Sequence, residues 1–302
     1  MKTAAFFGVL ALGTLFLVRS VPGGHKTEQT GPRIVRVNKA LDALIPRDAA
    51  VEQIATGFAQ ASGPVWNRAG GFLLFSDTPN NAVFRWREGE GASLYARLFA
   101  GAAPQPAALA LDDEGRVVLC ERGTGRLTRL ETDGTQTTLA GLLEGLHDLA
   151  YRRDGSLFFT DTASGVYRLS TKGALRLVTN AVHAPRGIAF SPDERTLYVS
   201  GANSWHAFDV DGEGNVKRQR LFFNAAAWNS PGMTEGMKVD RHGNLFASGP
   251  GGLHILSPQG HHLGSIHFQQ PVSNCAWGGD GSTLFLTSGH ALYRLRTRTS
   301  GQ

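Results

Sequence analysis

The chain has 302 residues, of which 41% are hydrophobic and 18% are charged, a composition that can bury a large core. Its formal charge of +5 falls to +3 when residues 1–20, with Lys2 and Arg19 and no acids, are set aside. Because this charge is small and no Lys/Arg cluster is interleaved with aromatic residues, the sequence argues against nucleic acid as a partner.

The chain begins with a segment typical of exported proteins. Lys2 precedes the uncharged run Ala4–Val18, which is followed by Arg19 and Ser20. A basic start before a short apolar run predicts a secretory signal peptide over residues 1–20, since a membrane span needs about 20 apolar residues. Arg19 replaces the small neutral residue of a good cleavage site, so an uncleaved N-terminal anchor is the alternative. Both interpretations predict an exported protein, periplasmic or secreted, with no other contact with a membrane.

The next segment has the composition of a connection. Residues 21–50 contain Pro, Gly and mixed charges, with a brief apolar patch at Leu41–Ile45. They predict a linker that packs on the domain near its end. An isolated strand is then predicted at Val51–Phe58. We expect the folded domain to span residues 51–297 and residues 298–302 to form a tail.

Two cysteines, Cys120 and Cys275, each lie in or beside an apolar strand. A disulfide between them is possible in an exported protein. The simpler expectation is that both are small, buried, apolar residues. With two cysteines and no His-x-x-His pattern, a structural zinc site is not supported.

From residue 66 onward the chain repeats one pattern, an apolar strand end, a polar turn with Asp or Gly, and a buried strand. The turn residues are those that tolerate positive φ in a hairpin. The strand ends, 38 to 49 residues apart, are Trp66, Leu111, Tyr151, Phe190, Val239 and Trp277. A repeat of about 40–50 residues with several strands and no helical periodicity predicts a β-propeller with one four-stranded blade per repeat.

The last repeat ends near Arg296, with too little chain for a fourth strand. The isolated strand at Val51–Phe58 can supply it, which would close the ring without leaving a free sheet edge. The sequence therefore predicts an all-β protein, a six-bladed β-propeller closed by an N-terminal strand that completes the last blade.

Equivalent positions of the innermost strands should form rings around the central channel of such a propeller. Four residues before each strand end, the ring is Ser62, Ala107, His147, Arg186, Glu235 and Ser273. The next ring is Gly63, Ala108, Asp148, Gly187, Gly236 and Asn274. Three long ionisable side chains on one ring predict a ligand-binding or catalytic pocket. The alternative is that Arg186 and Glu235 form a buried ion pair that plugs the channel without stabilising the protein.

Several motifs resemble those of a known family, and they occur in the family's order. They are Gly63-Pro64-Val65-Trp66, Phe75-Ser76-Asp77-Thr78-Pro79-Asn80-Asn81, Cys120-Glu121-Arg122-Gly123, Phe190-Ser191-Pro192-Asp193 and Gly236-Met237-Lys238-Val239-Asp240. Over residues 40–297 the chain resembles the gluconolactonase/regucalcin (SMP-30) family. The resemblance implies a six-bladed propeller with one divalent metal, typically calcium or zinc, in the channel. It also implies hydrolysis of sugar lactones and related cyclic esters.

The chain departs from the family pattern at all four positions around the metal. Ser62 stands where the family has Glu, Arg186 and His147 stand where it has Asn, and Glu235 stands where it has Asp. Glu235 is thus the only acidic metal-ligand position retained. Because a guanidinium is always charged and donates no lone pair, Arg186 would repel a divalent ion. We therefore expect no metal cofactor.

Two hypotheses about function remain open. In the first, the chain is a sugar-lactone hydrolase with an altered, metal-poor centre, whose candidate catalytic residues are Glu235, Arg186 and His147. Arg186 would stabilise an oxyanion, and Glu235 or His147 would act as general base toward water. In the second, the propeller has lost hydrolysis and binds a sugar acid, through Arg186, or a protein partner. Candidate ligand-binding residues are Ser62, Asp148 and Asn274. Asp148 is adjacent to His147 and would orient the imidazole, or it serves the structure, which is the role that the family resemblance implies.

Overall fold

The structure is a computed structural model of the chain and describes residues 31–98 and 104–301. Residues 1–30, with the predicted signal peptide or anchor, lie outside the described residues, as do 99–103 and 302. Six antiparallel sheets form a six-bladed β-propeller, which confirms the fold predicted from the repeats. No helix among the described residues is long and apolar enough to span a membrane.

The first described residues contain two strands and a short helix, within and just after the predicted linker. Strand β1 (Arg33–Arg36) and the 3-10 helix Lys39–Ala43 precede strand β2 (Val51–Thr56). The helix begins after Asn38, whose side chain accepts a hydrogen bond from the Ala40 N–H at 2.9 Å. This segment is held on the propeller by apolar side chains that enter the core, namely Leu41, Leu44 and Ile45.

Each of the first four blades is a meander of four consecutive strands, which follow one another from the channel outward. Blade one contains β3 (Ala61–Asn67), β4 (Phe72–Asp77), β5 (Ala82–Arg87) and β6 (Gly91–Arg97). Blade two contains β7 (Pro106–Leu111), β8 (Val117–Glu121), β9 (Arg126–Leu130) and β10 (Gln136–Ala140). Blade three contains β11 (Leu146–Tyr151), β12 (Leu157–Asp161), β13 (Gly165–Leu169) and β14 (Leu175–Thr179). Blade four contains β15 (Pro185–Phe190), β16 (Thr196–Gly201), β17 (Ser204–Val210) and β18 (Val216–Asn224).

The last two blades take their outermost strands from the beginning of the chain. Blade five contains β19 (Met237–Val239), β20 (Leu245–Gly249), β21 (Gly252–Leu256), β22 (His262–His267) and then β1. Blade six contains β23 (Val272–Gly278), β24 (Thr283–Ser288), β25 (Ala291–Arg296) and then β2. In both blades the N-terminal strand pairs antiparallel with its neighbour, so it covers a sheet edge.

The predicted tail also packs against the propeller. Thr299 is buried, and its hydroxyl donates to the Asp240 carboxylate at 2.8 Å. The Gly301 N–H donates to the Gly281 carbonyl at 3.1 Å. The C-terminal residues are held in place because they satisfy polar groups of blades five and six.

The hydrophobic core lies between neighbouring blades, where the faces of adjacent sheets meet. Phe158 of blade three and Phe190 of blade four, for example, meet edge to face with ring centroids 5.0 Å apart. Cys120 and Cys275 are both buried in this core and are not joined in a disulfide. This agrees with the expectation of two small apolar residues.

Candidate functional site

Register irregularities occur along the inner strands at the places where the rings were predicted. In blade three Leu146 pairs with Asp161, and in blade four Pro185 pairs with Gly201. In both strands the register then shifts across the next two residues, which are the ring positions, and blade two shows the same shift. The irregularity lies between Ser62 and Val65 in blade one and between Val272 and Asn274 in blade six. Because a bulge of this kind re-aims a side chain, the irregularity explains how ring residues turn toward the channel.

Close contacts between blades explain the glycines of the second ring. A Cβ atom on Gly187 would lie 2.1 Å from the carbonyl oxygen of Glu235. A Cβ atom on Gly236 would lie 2.0 Å from the side chain of Asn274. Glycine allows this approach because it lacks a Cβ atom. Gly187 thereby fixes the backbone of Glu235 against blade four.

Replacing Gly187 by alanine should lower stability by about 1–3 kcal/mol, because a methyl group overpacks a site closed by backbone atoms. The measurement is the urea midpoint of unfolding. Gly212→Ala is the matched control, since a Cβ atom on Gly212 meets nothing within 4 Å. Equal urea midpoints for the two variants would contradict this close packing of blades four and five.

Three ionisable side chains of the first ring form a hydrogen-bonded cluster. His147 Nε2 lies 2.9 Å from one carboxylate oxygen of Glu235, and Arg186 Nη1 lies 2.7 Å from the other. The residues come from blades three, four and five. The structure thus brings together all three predicted catalytic residues. It also contains the Arg186–Glu235 ion pair, which the alternative hypothesis of a plugged channel predicted.

The neighbours of Glu235 favour its ionised form. Burial alone would raise the pKa of Glu235, but the hydrogen bond and charge of His147, with the charges of Arg186 and Arg122, bring that pKa below its usual value. Glu235 is therefore a carboxylate at neutral pH. The His147 tautomer with its hydrogen on Nε2 can donate a hydrogen bond to this carboxylate, and in the neutral form of that tautomer the ring lone pair is on Nδ1.

The cluster borders a cavity of about 390 Å³ at one end of the channel. His147 and Glu235 line the cavity, and Glu235 is the one acid in its lining among the described residues. The predicted ligand-binding residue Ser62 also lines it. Arg186 is not among the lining residues, although its side chain is 22% exposed. Further polar lining residues are Gln60, Thr78, Gln270, Ser273 and His290.

Arg122 is a lining residue that was not predicted from the sequence. It directly follows β8, the second strand of blade two. The residues that directly follow the second strands of the other five blades are Thr78, Thr162, Ala202, Pro250 and Gly289. A third ring, counted from the ends of the second strands, would therefore have singled out Arg122 as its only charged member.

The positions of Asp148 and Asn274 correct their assignment as ligand-binding residues. Neither lines the cavity, and both are buried. The Asp148 carboxylate accepts hydrogen bonds from the Leu149 and Ile188 N–H groups at 3.0 and 3.3 Å, and from the Asn274 amide at 3.3 Å. These bonds tie blade three to blades four and six, and none of them reaches the imidazole of His147. The two side chains therefore hold the blades together across the channel.

The donor set at the centre does not suit a divalent cation. Both oxygens of Glu235 are occupied, one by a guanidinium that carries a positive charge and no lone pair. Ser62 supplies only a neutral hydroxyl. Across residues 31–98 and 104–301, no group of three or more His, Cys, Asp or Glu side chains is placed to hold a metal ion.

The connection between blades four and five is fixed by a cluster of aromatic and histidine rings next to the cavity. The connection contributes Gly232 and Met233 to the lining of the cavity. Within it, Trp228 stacks on His254 with ring centroids 4.0 Å apart. His254 is held in turn by the Pro250 carbonyl at 2.9 Å and the Ser265 hydroxyl at 2.8 Å.

This cluster should make stability depend on pH. Burial lowers the pKa of His254 to about 3, although its bond to Pro250 opposes the shift. An unfolded histidine binds its proton near pH 6.5, so the unfolded state binds more protons between about pH 6.5 and 3. Stability should therefore fall as the pH falls through this window, and His254→Gln should flatten the fall. Urea midpoints from pH 7 to 4 measure this loss of stability, and the variant of the exposed His261, His261→Gln, is the control. Parallel curves of midpoint against pH for His254→Gln and wild type would contradict the role of His254.

Comparison with known proteins identifies the family. Residues 60–290 match the family model described as the SMP-30/gluconolactonase/LRE-like region. The chain belongs to the SMP-30/gluconolactonase/LRE-like family. The resemblance found in the sequence motifs is thereby confirmed, and the family supports sugar-lactone hydrolysis as the general type of reaction.

Individual members of the family are similar over most of their length. A gluconolactonase of Zymomonas mobilis is 31% identical over 346 aligned positions, which cover 100% of this chain and 97% of that protein. The solved structure of a gluconolactonase from Xanthomonas campestris is 30% identical, covers 88% of this chain and 95% of its own, and has a TM-score of 0.79. A calcium-binding regucalcin from Agrobacterium tumefaciens is 17% identical with a TM-score of 0.72, covering 84% of this chain and 96% of its own, and shares the fold.

Proposed function

We propose that this chain hydrolyses sugar lactones without a resident metal ion, using His147 as general base, Glu235 as the carboxylate that orients it, and Arg186 as the cation that stabilises the oxyanion. The observation that carries the proposal is that both carboxylate oxygens of Glu235 already contact neighbouring ring residues. One of its oxygens lies 2.9 Å from His147 Nε2 and the other 2.7 Å from Arg186 Nη1. A carboxylate used in this way orients a base and a cation, and a divalent ion bound to it would be repelled by the adjacent guanidinium.

The His147–Glu235 pair has the arrangement of a base and its orienting acid. In this proposal the Glu235 carboxylate accepts a hydrogen bond from the Nε2–H group of His147, and the imidazole lone pair on Nδ1 takes a proton from a water molecule. In the first step the water gives a proton to Nδ1, and its oxygen forms a bond to the lactone carbonyl carbon. The carbonyl oxygen then carries a negative charge. Positioned general bases contribute about 10²–10⁴-fold to such reactions.

Arg186 supplies the positive charge that this oxyanion requires. Its Nη1 is held by Glu235, while its Nη2 makes no hydrogen bond to any residue that the structure describes. A guanidinium held in a fixed position beside the cavity stabilises negative charge that develops next to it. In the second step the ring C–O bond breaks, the carbonyl re-forms, and His147 returns the proton to the leaving oxygen. The product is an open-chain hydroxy acid.

The similar proteins support the reaction class. The Zymomonas mobilis and Xanthomonas campestris relatives are gluconolactonases, and the first is similar over the whole of this chain. The polar lining of the cavity also suits a ligand rich in hydroxyl groups. A sugar lactone therefore fits both the family and the cavity.

We also propose that the reaction takes place outside the cytoplasm, because residues 1–20 carry the pattern of a secretory signal or anchor. Fusing residues 1–30 to a reporter enzyme that is active only after export tests this part separately. Reporter activity equal to that of a fusion without the segment would contradict it.

A panel of five- and six-membered aldonolactones tests the reaction. Turnover should be measured at constant pH by titration of the acid formed, with the spontaneous hydrolysis of each lactone subtracted. We expect at least one lactone to be hydrolysed by wild type and His147→Gln to lose most of this activity. A folded wild-type protein that hydrolyses no lactone but binds a sugar acid would favour a binding protein instead.

A further inference from the structure

Arg122 places an unpaired positive charge at the cavity. Its side chain lines the cavity together with His147 and Glu235. Within residues 31–98 and 104–301, the guanidinium makes neither a hydrogen bond nor an ion pair, and its electrostatic neighbours are Glu235 and Arg186. An arginine in such a place normally has an acidic partner, because burying an unpaired charge is unfavourable.

The charges around the cavity do not balance. The Glu235 carboxylate is the single acid in the described lining, and it is already paired with Arg186 at 2.7 Å. No acid among the described residues therefore pairs with Arg122 to compensate its charge. Burial accordingly lowers the pKa of Arg122, and the charge of Glu235 only partly opposes this shift. A negatively charged group of a ligand would restore the balance.

The fold itself does not require a charge at this position. The equivalent positions of the other five blades carry Thr78, Thr162, Ala202, Pro250 and Gly289. The strand before Arg122 is anchored independently of its side chain, since Glu121 pairs with Arg126 at 3.2 Å and accepts from Thr128 at 3.0 Å. Arg122 is therefore available for a role in binding.

We propose that Arg122 forms an anion subsite, so that the preferred substrates are sugar lactones carrying an additional carboxylate or phosphate group. This proposal rests on the proposed hydrolysis for its first test but not for its second. The Arg122 guanidinium holds the anionic substituent through charge-assisted hydrogen bonds. The hydroxyl and amide side chains of the lining contact the sugar hydroxyls, while the lactone carbonyl lies near His147.

The first test compares three lactones with the same ring, one neutral, one with an exocyclic carboxylate and one with an exocyclic phosphate. We expect wild-type kcat/KM to be about tenfold or more higher for at least one anionic lactone than for the neutral one, the size of a charge-assisted hydrogen bond. In Arg122→Gln this ratio should fall to near one, and Arg122→Lys should keep part of it. Arg68→Gln is the control, since Arg68 is exposed on the β3–β4 turn. A ratio near one in wild type, or an unchanged ratio in Arg122→Gln, would overturn the proposal.

The second test measures binding without turnover. Calorimetry compares an aldonic acid with its diacid and its phosphorylated counterpart, which carry the same hydroxyl groups and additional negative charge. We expect at least one of the more highly charged acids to bind about tenfold or more tightly, and Arg122→Gln to remove the difference. Equal affinities in wild type, or no binding of any of the acids, would overturn the anion subsite. If no lactone is hydrolysed but this charge preference is found, the hydrolytic function fails and the subsite stands.

Discussion

Glu235→Gln is expected to lower kcat for lactone hydrolysis by about 10³-fold. The amide is isosteric with the carboxylate but carries no charge, so it can neither hold the imidazolium that forms on His147 nor pair with Arg186. The loss should therefore appear mainly in kcat. Initial rates on the best lactone of the panel, followed at constant pH, measure it.

A matched control for this variant is available on the same protein. Glu131 has the same 19% side-chain exposure as Glu235 and is also paired with an arginine, Arg129 at 2.7 Å. It lies outside the channel in blade two, so Glu131→Gln should leave kcat near the wild-type value. Circular dichroism should show that both variants are folded. Wild-type kcat in Glu235→Gln would remove Glu235 from the mechanism.

The second large effect is expected for the double variant S62E/R186N, which should raise affinity for calcium or zinc by at least about 100-fold. Arg186→Asn removes a positive charge 2.7 Å from the Glu235 carboxylate and frees one of its oxygens. Ser62→Glu adds a second carboxylate to the same ring. Each of these unit charges is worth roughly 4 kcal/mol at 4 Å in a partly screened site. The change also restores the residue type at two of the four positions where the chain departs from the family pattern.

Isothermal calorimetry with calcium and with zinc measures the affinity of the double variant, and elemental analysis measures its metal content. The single variant Ser62→Glu is the control, because it keeps the guanidinium and should gain little affinity. If wild type binds either ion as tightly as the double variant, Arg186 does not prevent metal binding and the proposed metal-free centre is wrong.

The fold was predictable because the repeat is strong at the level of local structure. Each inner hairpin has an apolar strand end, a turn rich in Asp and Gly, and a buried strand, and these features depend only on nearby residues. The short β1 strand was not predicted. It has four residues with arginine at both ends, and it forms because blade five offers an edge, which is information outside its own sequence.

The candidate site was predictable in part for a similar reason. Counting four residues back from the equivalent end of each inner strand placed His147, Arg186 and Glu235 on one ring. The same count placed Asp148 and Asn274 on the second ring, one residue further along. The direction of their side chains depends on the bulge in each inner strand, which residue spacing does not predict. Arg122 was missed because it follows a second strand and not an inner one.

The measurement that tests the metal-free mechanism most directly is lactone turnover by metal-stripped protein, with residual metal determined by elemental analysis. The protein should be dialysed against a chelator, assayed, and assayed again after calcium or zinc is added back. We expect kcat to be unchanged by stripping and by either ion, because Arg186 and His147 perform the electrostatic and basic roles. Turnover that disappears with the metal and returns with stoichiometric calcium or zinc would contradict this mechanism.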